Sequence, residues 1–476
     1  LQHMVSIIML PIYTRYLTPG DYGIAELLSM GVDFVGMIFG VVSAEAIFRF
    51  YHEDNSDNYR KKVVYSVFVT ALVVNLLGYL LIIGTSKESA DYLFDGISVS
   101  DGEGLVILYG ATIIFQVMSA IPMAYLRAEQ KPALFLALSA LRLVVAISCN
   151  VYFVVYKEMH IEGVVYAVFT FTLIHSVICS AYMLYKIGIS FSVDLVKKSI
   201  SFSWPLMFSS IALFLTTYAD RLFIKSYSDN VQLGLYALAY KFGFIMISLA
   251  WMPFSQFWEA RRYQVVKEEN AVETFQKVFR LSQTFVIVIA FALAIYTHDL
   301  LRIMASPGFH EAYTLAGIII LAYIFNIWSQ FCLFGILYAN KTLYKAYIDS
   351  LIFVVAIALY ALTIPKYGAL GAAISTLLSL MLRLLLINYY SSKLYDMKLE
   401  WKRAIFLLVP AIFLYLISVS VQLNIILSII FNAVLMFVFI GISYFGYGLT
   451  DLDRQEINNY LGNVVIKVRT KLNIYS

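Results

Sequence analysis

Tyr13-Thr14-Arg15-Tyr16-Leu17, followed after a short polar turn by Tyr22-Gly23-Ile24-Ala25, decides how this chain is read, because the sequence repeats it. The echo is Tyr218-Ala219-Asp220-Arg221-Leu222, followed by Leu233-Gly234-Leu235-Tyr236. Further on, Lys131-Pro132 opens an apolar span ending at Tyr156 with Glu162-Gly163 beyond it, and Lys341-Thr342 opens another that runs to Pro365-Lys366-Tyr367 and Gly371. The offsets agree: 206 from Arg15 to Arg221, 210 from Lys131 to Lys341, 208 from Gly163 to Gly371. Internal symmetry between apolar segments is how many transporters are built, with the substrate path between the halves.

Composition supports that reading. Apolar residues make up 61% of the chain and charged residues 13%, with a mean hydropathy of +0.80. A water-soluble fold could not cover so much apolar surface. Repeated runs of about 20 residues suit a hydrocarbon layer of roughly 30 Å, inside which every backbone polar group must be paired within a helix. The expected fold is an all-α polytopic membrane protein. The net charge of +4 does not suggest nucleic acid, since the charges sit in short loops and form no basic domain. Cys149, Cys179 and Cys332 lie inside apolar runs without CxxC or Cys/His spacing, so neither a metal site nor a disulfide framework is expected and the three read as small packing residues.

Fourteen spans are expected, at about 1–16, 22–48, 63–84, 105–126, 133–156, 161–185, 203–224, 234–258, 280–297, 313–338, 346–364, 368–390, 404–421 and 424–447. The apolar part of the first, Leu1 to Ile12, is too short to cross, which suggests that its helix is incomplete here. The domains read as a six-helix lobe at 1–190, a second at 200–392, two additional helices at 400–448 and a cytoplasmic amphipathic tail at 449–476. In that tail, Leu452, Ile457, Leu461, Val464, Val465, Val468 and Leu472 recur near helical spacing among basic residues, which suits an anionic membrane surface. Lys and Arg crowd one set of loops, and the other set holds only Arg15, Lys87, Lys157, Arg221, Lys225, Arg302 and Lys366. The crowded side is then cytoplasmic, and both termini lie there.

An ionisable side chain in hydrocarbon costs roughly 2.5–3.5 kcal/mol on insertion scales, so each one needs a pore, a partner or a route to the interface. In the second span Glu26, Ser29, Asp33, Gly36, Gly40 and Ser43 share one helical face. The glycines suit close helix packing, while Asp33, midway across, suits a wet lumen. Arg142 lies near the middle of the fifth span, too deep to snorkel easily. Either it pairs with an acid such as Asp33 or Asp349, or it meets an anion in a cavity. Arg49, with Glu45 one turn before it, marks one mouth of the second span. Arg15 and Arg221 mark matching ends of two spans, where an anchor or a salt bridge, Asp220 included, is the plainer role. Lys241 lies in the outer third of the eighth span. His175 and Arg383 occupy matching positions 208 apart; the first reads as a packing histidine, the second as a snorkelling side chain or a ligand. Together the buried cations suggest an anionic cargo, and the bidentate geometry of Arg favours phosphate over carboxylate. No Walker loop or other enzyme signature is present, so a transporter would draw on an ion gradient or on the cargo's own gradient.

The run Leu10-Pro11-Ile12-Tyr13-Thr14-Arg15-Tyr16-Leu17-Thr18-Pro19-Gly20-Asp21-Tyr22-Gly23 resembles the opening signature of bacterial polysaccharide flippases. These are the O-antigen transporter branch of the multidrug/oligosaccharidyl-lipid/polysaccharide exporter superfamily. Trp204-Pro205-Leu206 followed by Ala219-Asp220-Arg221 resembles that family's seventh span, and the likeness continues through Lys366-Tyr367-Gly368-Ala369-Leu370-Gly371-Ala372-Ala373. The resemblance implies a V-shaped pair of six-helix bundles that rocks between inward- and outward-open states in the bacterial inner membrane. It implies as cargo an undecaprenyl-diphosphate-linked oligosaccharide, an O-antigen or capsule/exopolysaccharide repeat unit, with glycan polymerase and assembly proteins as possible partners. Arg15, Arg49 and Arg142 are the first candidates for a cationic cavity, with Arg221, Lys241 and Arg383 beside them. Glu26, Asp33 and Glu45 are candidates for coupling to H+ or Na+. The last two spans resemble those that form a lipid-tail groove in the lipid II flippase branch. A multidrug and toxin extrusion exporter and a membrane-embedded glycan-processing enzyme are the alternatives; the first would want an acidic cavity.

Overall fold

The computed structural model describes residues 2–39, 44–51, 53–54, 56–95, 99–456 and 458–459, without the side chains of 2–8, 44–45, 205–206, 208–210, 212–213, 216 and 260. Gly40, Ser43, the Glu45 side chain and most of the expected tail helix, 460–476 and Ile457, lie outside that set.

Helices account for nearly all of the described chain, and no strand occurs among those residues. In chain order they are α1 (Gln2–Tyr16), α2 (Pro19–Phe39), α3 (Ala44–Phe50), α4 (Asp57–Gly84), α5 (Ser86–Leu93), α6 (Gly102–Gly110), α7 (Thr112–Ala128), α8 (Pro132–Asn150), α9 (His160–Ile187), α10 (Val193–Tyr227), α11 (Asn230–Met246), α12 (Met252–Val265), α13 (Ala271–Met304), α14 (Ala312–Cys332), α15 (Phe334–Tyr338), α16 (Thr342–Leu394), α17 (Trp401–Ser420) and α18 (Ile425–Phe445). Polar caps set several of their starts: Ser56 accepts from the Tyr59 N–H at 3.4 Å, Asp101 from Gly104 at 2.9 Å and Asn424 from Leu427 at 3.0 Å.

Among the described residues eleven helical stretches are long and apolar enough to cross a membrane, fewer than the fourteen expected. α1 has 15 described residues and is too short. α10 is not among the eleven, and it begins at Val193, ten residues before the expected seventh span. The expected spans 346–364 and 368–390 are the two arms of α16, which turn back on each other at Gly368, whose φ of 54° and ψ of −133° fall where only glycine sits comfortably; Asp349 pairs with Arg383 and Thr363 with Ser375 from one arm to the other. The 85–104 segment, expected as a loop, contains α5 and the start of α6.

The outward faces are apolar. Val73, Leu76, Leu77, Leu80 and Leu81 of α4 are about half exposed, while Asn75 on the same helix is 1% exposed and bonds to the Ala71 carbonyl. Greasy outside and polar inside is the arrangement a bilayer solvent selects. The chain is a multi-pass membrane protein.

It divides into two compact units, Leu1–Ala237 with Met304–Phe309, and Leu238–Ile303 with His310–Ser476. In the first, Val63, Val64, Val67 and Ala71 of α4 pack with Ile121 and Ala124 of α7 and Met183 of α9. A second cluster joins Ile24, Leu28 and Val32 of α2 to Ile113, Ile161 and Val165. In the second unit α14 lies along α16, and a ring block formed by Trp258, Phe275, Phe279, Phe331, Phe334 and Trp401 fills the end near α12 and α17.

Candidate functional site

The polar face of α2 divides into two environments. Glu26 is half-buried and meets Arg221, with Oε1 3.6 Å from Nη2. Arg221 itself is 2% exposed and also reaches Asp220 Oδ1 at 3.2 Å and the Thr217 carbonyl at 3.3 Å. Its guanidinium stands 4.7 Å from the Tyr218 ring centre and 5.8 Å from that of Tyr236. Tyr236, fully buried, donates to Asp220 Oδ2 at 2.5 Å. One cation between two carboxylates and two ring faces is a compensated group. Asp33, two turns below Glu26 on the same face, has no such cation: the neutral Gln116 of α7 donates to it. Gly36 meets Ile113 only at ordinary contact distance.

Arg142 stands alone. It shares a stripe of α8 with Leu138, Ala146 and Asn150, all buried, so it faces protein and not the lipid side. Asn150 holds the end of that stripe, bonding to the Ala146 carbonyl at 2.8 Å and accepting from the Tyr13 hydroxyl at 2.6 Å. Across from Arg142 on α9 lie His175 and Cys179, within electrostatic range of it. Among the described residues Arg142 forms no hydrogen bond and no ion pair. The pairing with Asp33 or Asp349 considered from sequence is therefore not made, because nearer groups take both acids. Asp349 accepts from Arg383 Nε at 2.9 Å and from Lys345 at 2.7 Å. His175 is satisfied by Ser119 Oγ at 3.1 Å and by the Cys179 thiol at 3.4 Å.

In the second unit Arg383 also donates to Ser329 at 2.5 Å and Asn326 at 3.4 Å, so two cations share one carboxylate in a hydrogen-bonded cluster. Lys241 is half-buried in α11. Arg15 and Arg49 are exposed at their helix ends, the latter 5.7 Å from the Phe50 ring centre. Of the expected cations, Arg15, Arg49, Arg142 and Arg221 belong to the first unit, as do Glu26 and Asp33, and Arg383 and Lys241 belong to the second. Sequence reading missed Gln116, and it missed Asp299, which is 2% exposed and accepts from Asn432 at 2.8 Å. The expected ninth span stopped at 297, so Asp299 was counted as loop; α13 continues to Met304. Among the described residues no three His, Cys, Asp or Glu side chains converge as metal ligands.

The family described as "Polysaccharide biosynthesis protein" matches residues 1–257. Among solved structures, the lipid II flippase MurJ in its inward closed conformation superposes with a TM-score of 0.72 at 13% identity, over 93% of this chain and 96% of that one. An inward-facing multidrug resistance MATE family transporter of the MOP superfamily gives 0.64 at 13% identity, over 83% of this chain and 95% of that one. At such identities the likeness shows the fold alone. No curated protein sequence matches significantly.

Proposed function

Since this chain belongs to the polysaccharide biosynthesis protein family, we propose that it is a flippase for an undecaprenyl-diphosphate-linked oligosaccharide, an O-antigen or capsule/exopolysaccharide repeat unit. It moves this cargo from the inner to the outer leaflet of the bacterial cytoplasmic membrane by alternating access, with both termini inside. The observation that carries the reading is Arg142, a cation on the protein-facing stripe of a span with no carboxylate beside it among the described residues. A guanidinium held without a counter-ion is already partly stripped of water and keeps its fork of donors free, which suits a diphosphate arriving from the membrane surface. Arg221, held between Glu26 and Asp220, is a structural cation in this scheme. Asp33, which accepts from the neutral Gln116 and lies within electrostatic range of the Glu26 carboxylate, is the carboxylate for the coupling ion, H+ or Na+. Glu26 serves to neutralise Arg221.

A multidrug exporter shares the fold, but an organic cation would be repelled by Arg142. The overlap with MurJ covers more of this chain, 93% against 83%. The test is reconstitution with a fluorescent undecaprenyl-diphosphate glycan whose outer-leaflet exposure is read by an impermeant quencher. Transfer that disappears in Arg142→Ala, with the protein still in the bilayer, supports the reading. Transfer unchanged in Arg142→Ala removes that residue from the path; efflux of an organic cation with no lipid transfer assigns the chain to drug export.

A further inference from the structure

Ser29, Asp33 and Gln116, all in the first unit, keep hydrogen-bonding capacity that the fold does not use. Gln116 lies in the middle of the membrane-spanning stretch Gly102–Ala128 and is exposed there, as is Ala120 one turn on. A neutral amide left open in hydrocarbon would forfeit its hydrogen bonds, so the space beside this face of α7 holds water and not lipid tails. The Gln116 amide donates to Asp33 across from it on α2. Among the described residues nothing donates to the Gln116 carbonyl oxygen. Ser29, one turn before Asp33 on the same face of α2, is half-buried, and its hydroxyl forms no hydrogen bond among those residues. Buried polar atoms without a partner do occur in this protein, at Asp299 and Ser379 for example, but none belongs to Ser29, Asp33 or Gln116, so the unused atoms of these three open onto the space beside them. The nearest named cation on this face, Arg221, is taken by Glu26.

We propose that Gln116 and Ser29 form a glycan subsite that reads sugar hydroxyls, with Asp33 as the positioning residue that aims the Gln116 amide. The proposal rests on the flippase reading above and supplies a contact for the sugar end of a cargo whose diphosphate end is assigned to Arg142. The chemistry of the groups selects this ligand. A diphosphate only accepts hydrogen bonds and an ammonium only donates them, whereas a sugar hydroxyl does both. Gln116 offers a carbonyl acceptor and a second amide N–H, and the Ser29 hydroxyl donates and accepts, so the pair matches a hydroxyl in both senses and neither of the charged ligands. The bond from Gln116 to Asp33 occupies one of the two amide N–H groups and fixes the direction of the carbonyl, which lowers the cost of ordering it around a sugar. Replacing Asp33 by Asn retains an acceptor for that bond, so aiming and charge are separable.

The experiment measures transfer of the fluorescent undecaprenyl-diphosphate glycan in vesicles, with unlabelled undecaprenyl diphosphate, which lacks the sugar, as competitor. Gln116→Ala should raise the KM for the glycan lipid about tenfold and leave the competitor's inhibition constant at the parent's value. Ser29→Ala should raise the same KM about threefold and stands in if Gln116→Ala does not accumulate. Asp33→Ala should follow Gln116→Ala, while Asp33→Asn should keep the parent's KM. An unchanged KM in Gln116→Ala and Ser29→Ala, or a KM and an inhibition constant that rise together, overturns the subsite. Should the unmodified protein move no glycan lipid, the flippase assignment falls and the subsite is judged without transport, by saturation-transfer NMR of free neutral hexoses and N-acetylhexosamines on the protein in nanodiscs. A signal that the parent gives and Gln116→Ala loses keeps the subsite; a signal absent from the parent, or equal in the two proteins, overturns it.

Discussion

Two arginines on membrane-spanning helices of one unit should respond in opposite directions when they are made apolar, and the difference separates a functional cation from a structural one. Arg142 pairs with no described residue, whereas Arg221 is 2% exposed and lies between Glu26 and Asp220. An Arg near a span centre costs roughly 2.5–3.5 kcal/mol on insertion scales and a Leu contributes about −0.3 to −0.6. The Arg142 side chain is half-buried, so about half of that difference is set aside for its remaining hydration, and Arg142→Leu is expected to stabilise the protein by about 1–2 kcal/mol. Arg221→Leu instead removes the cation that meets both Glu26 and Asp220, the latter itself 1% exposed, and breaking a buried pair in this way costs about 3–5 kcal/mol. The assay is the apparent melting temperature in nanodiscs, followed by size exclusion, with lipid-linked glycan transfer measured on the same preparations. Arg142→Leu should melt higher than the parent and fail to transfer; Arg221→Leu should melt markedly lower. An Arg142→Leu protein that melts below the parent would show that this guanidinium holds the fold together, and the reasoning that makes it the diphosphate ligand would be refuted.

The other predictions concern single contacts. Gly368→Ala forces a side chain into φ 54°, ψ −133° and should cost about 1–3 kcal/mol of stability, read as lower melting; an unchanged value would mean that the break in α16 relaxes freely. Asn432→Ala removes the α18 contacts to Asp299 and to the Ile295 carbonyl and should cost on the order of 1 kcal/mol, with faster deuterium uptake in α18 than in α14. Burial raises the Asp453 carboxyl, but hydrogen bonds from Arg280 and Thr450 outweigh that effect and hold it below its ordinary value of 3.8. Because its folded value is depressed, its contribution is complete above the ordinary value and disappears as pH falls through the depressed one. Deuterium uptake at 450–456 should therefore rise only below about pH 4, and Asp453→Asn should show the raised uptake already at neutral pH. Asp33→Asn preserves a partner for Gln116 but removes the charge, so transfer should become insensitive to an imposed ion gradient; a gradient response equal to the parent's would move the coupling role elsewhere.

How much of this could be read from residues alone follows from the range of the interactions. The spans were legible because hydrophobic length is a local property, and Pro365 and Gly368 marked the break between two of them; what residues alone did not show is how closely the two arms approach, with Gly371 lying against the Thr363 carbonyl. The ends of α10 and α13 were misjudged because polar residues at a span's edge read as loop whether or not the helix continues, and it is the continuation of α13 that buries Asp299. Charge pairing was the least legible. Arg142 and Arg221 look alike in sequence, and the acid that settles the second, Glu26, is 195 positions away from it. Asp349, a partner the sequence offers to Arg142, pairs instead with Arg383 from the other arm of α16, beyond the Gly368 break. The repeat, by contrast, was visible: Gly23 and Gly234 match at an offset of 211, yet matching alone says nothing about distance, and only the fold shows their two backbones in close approach, where a methyl on Gly23 would lie 2.9 Å from the Gly234 nitrogen.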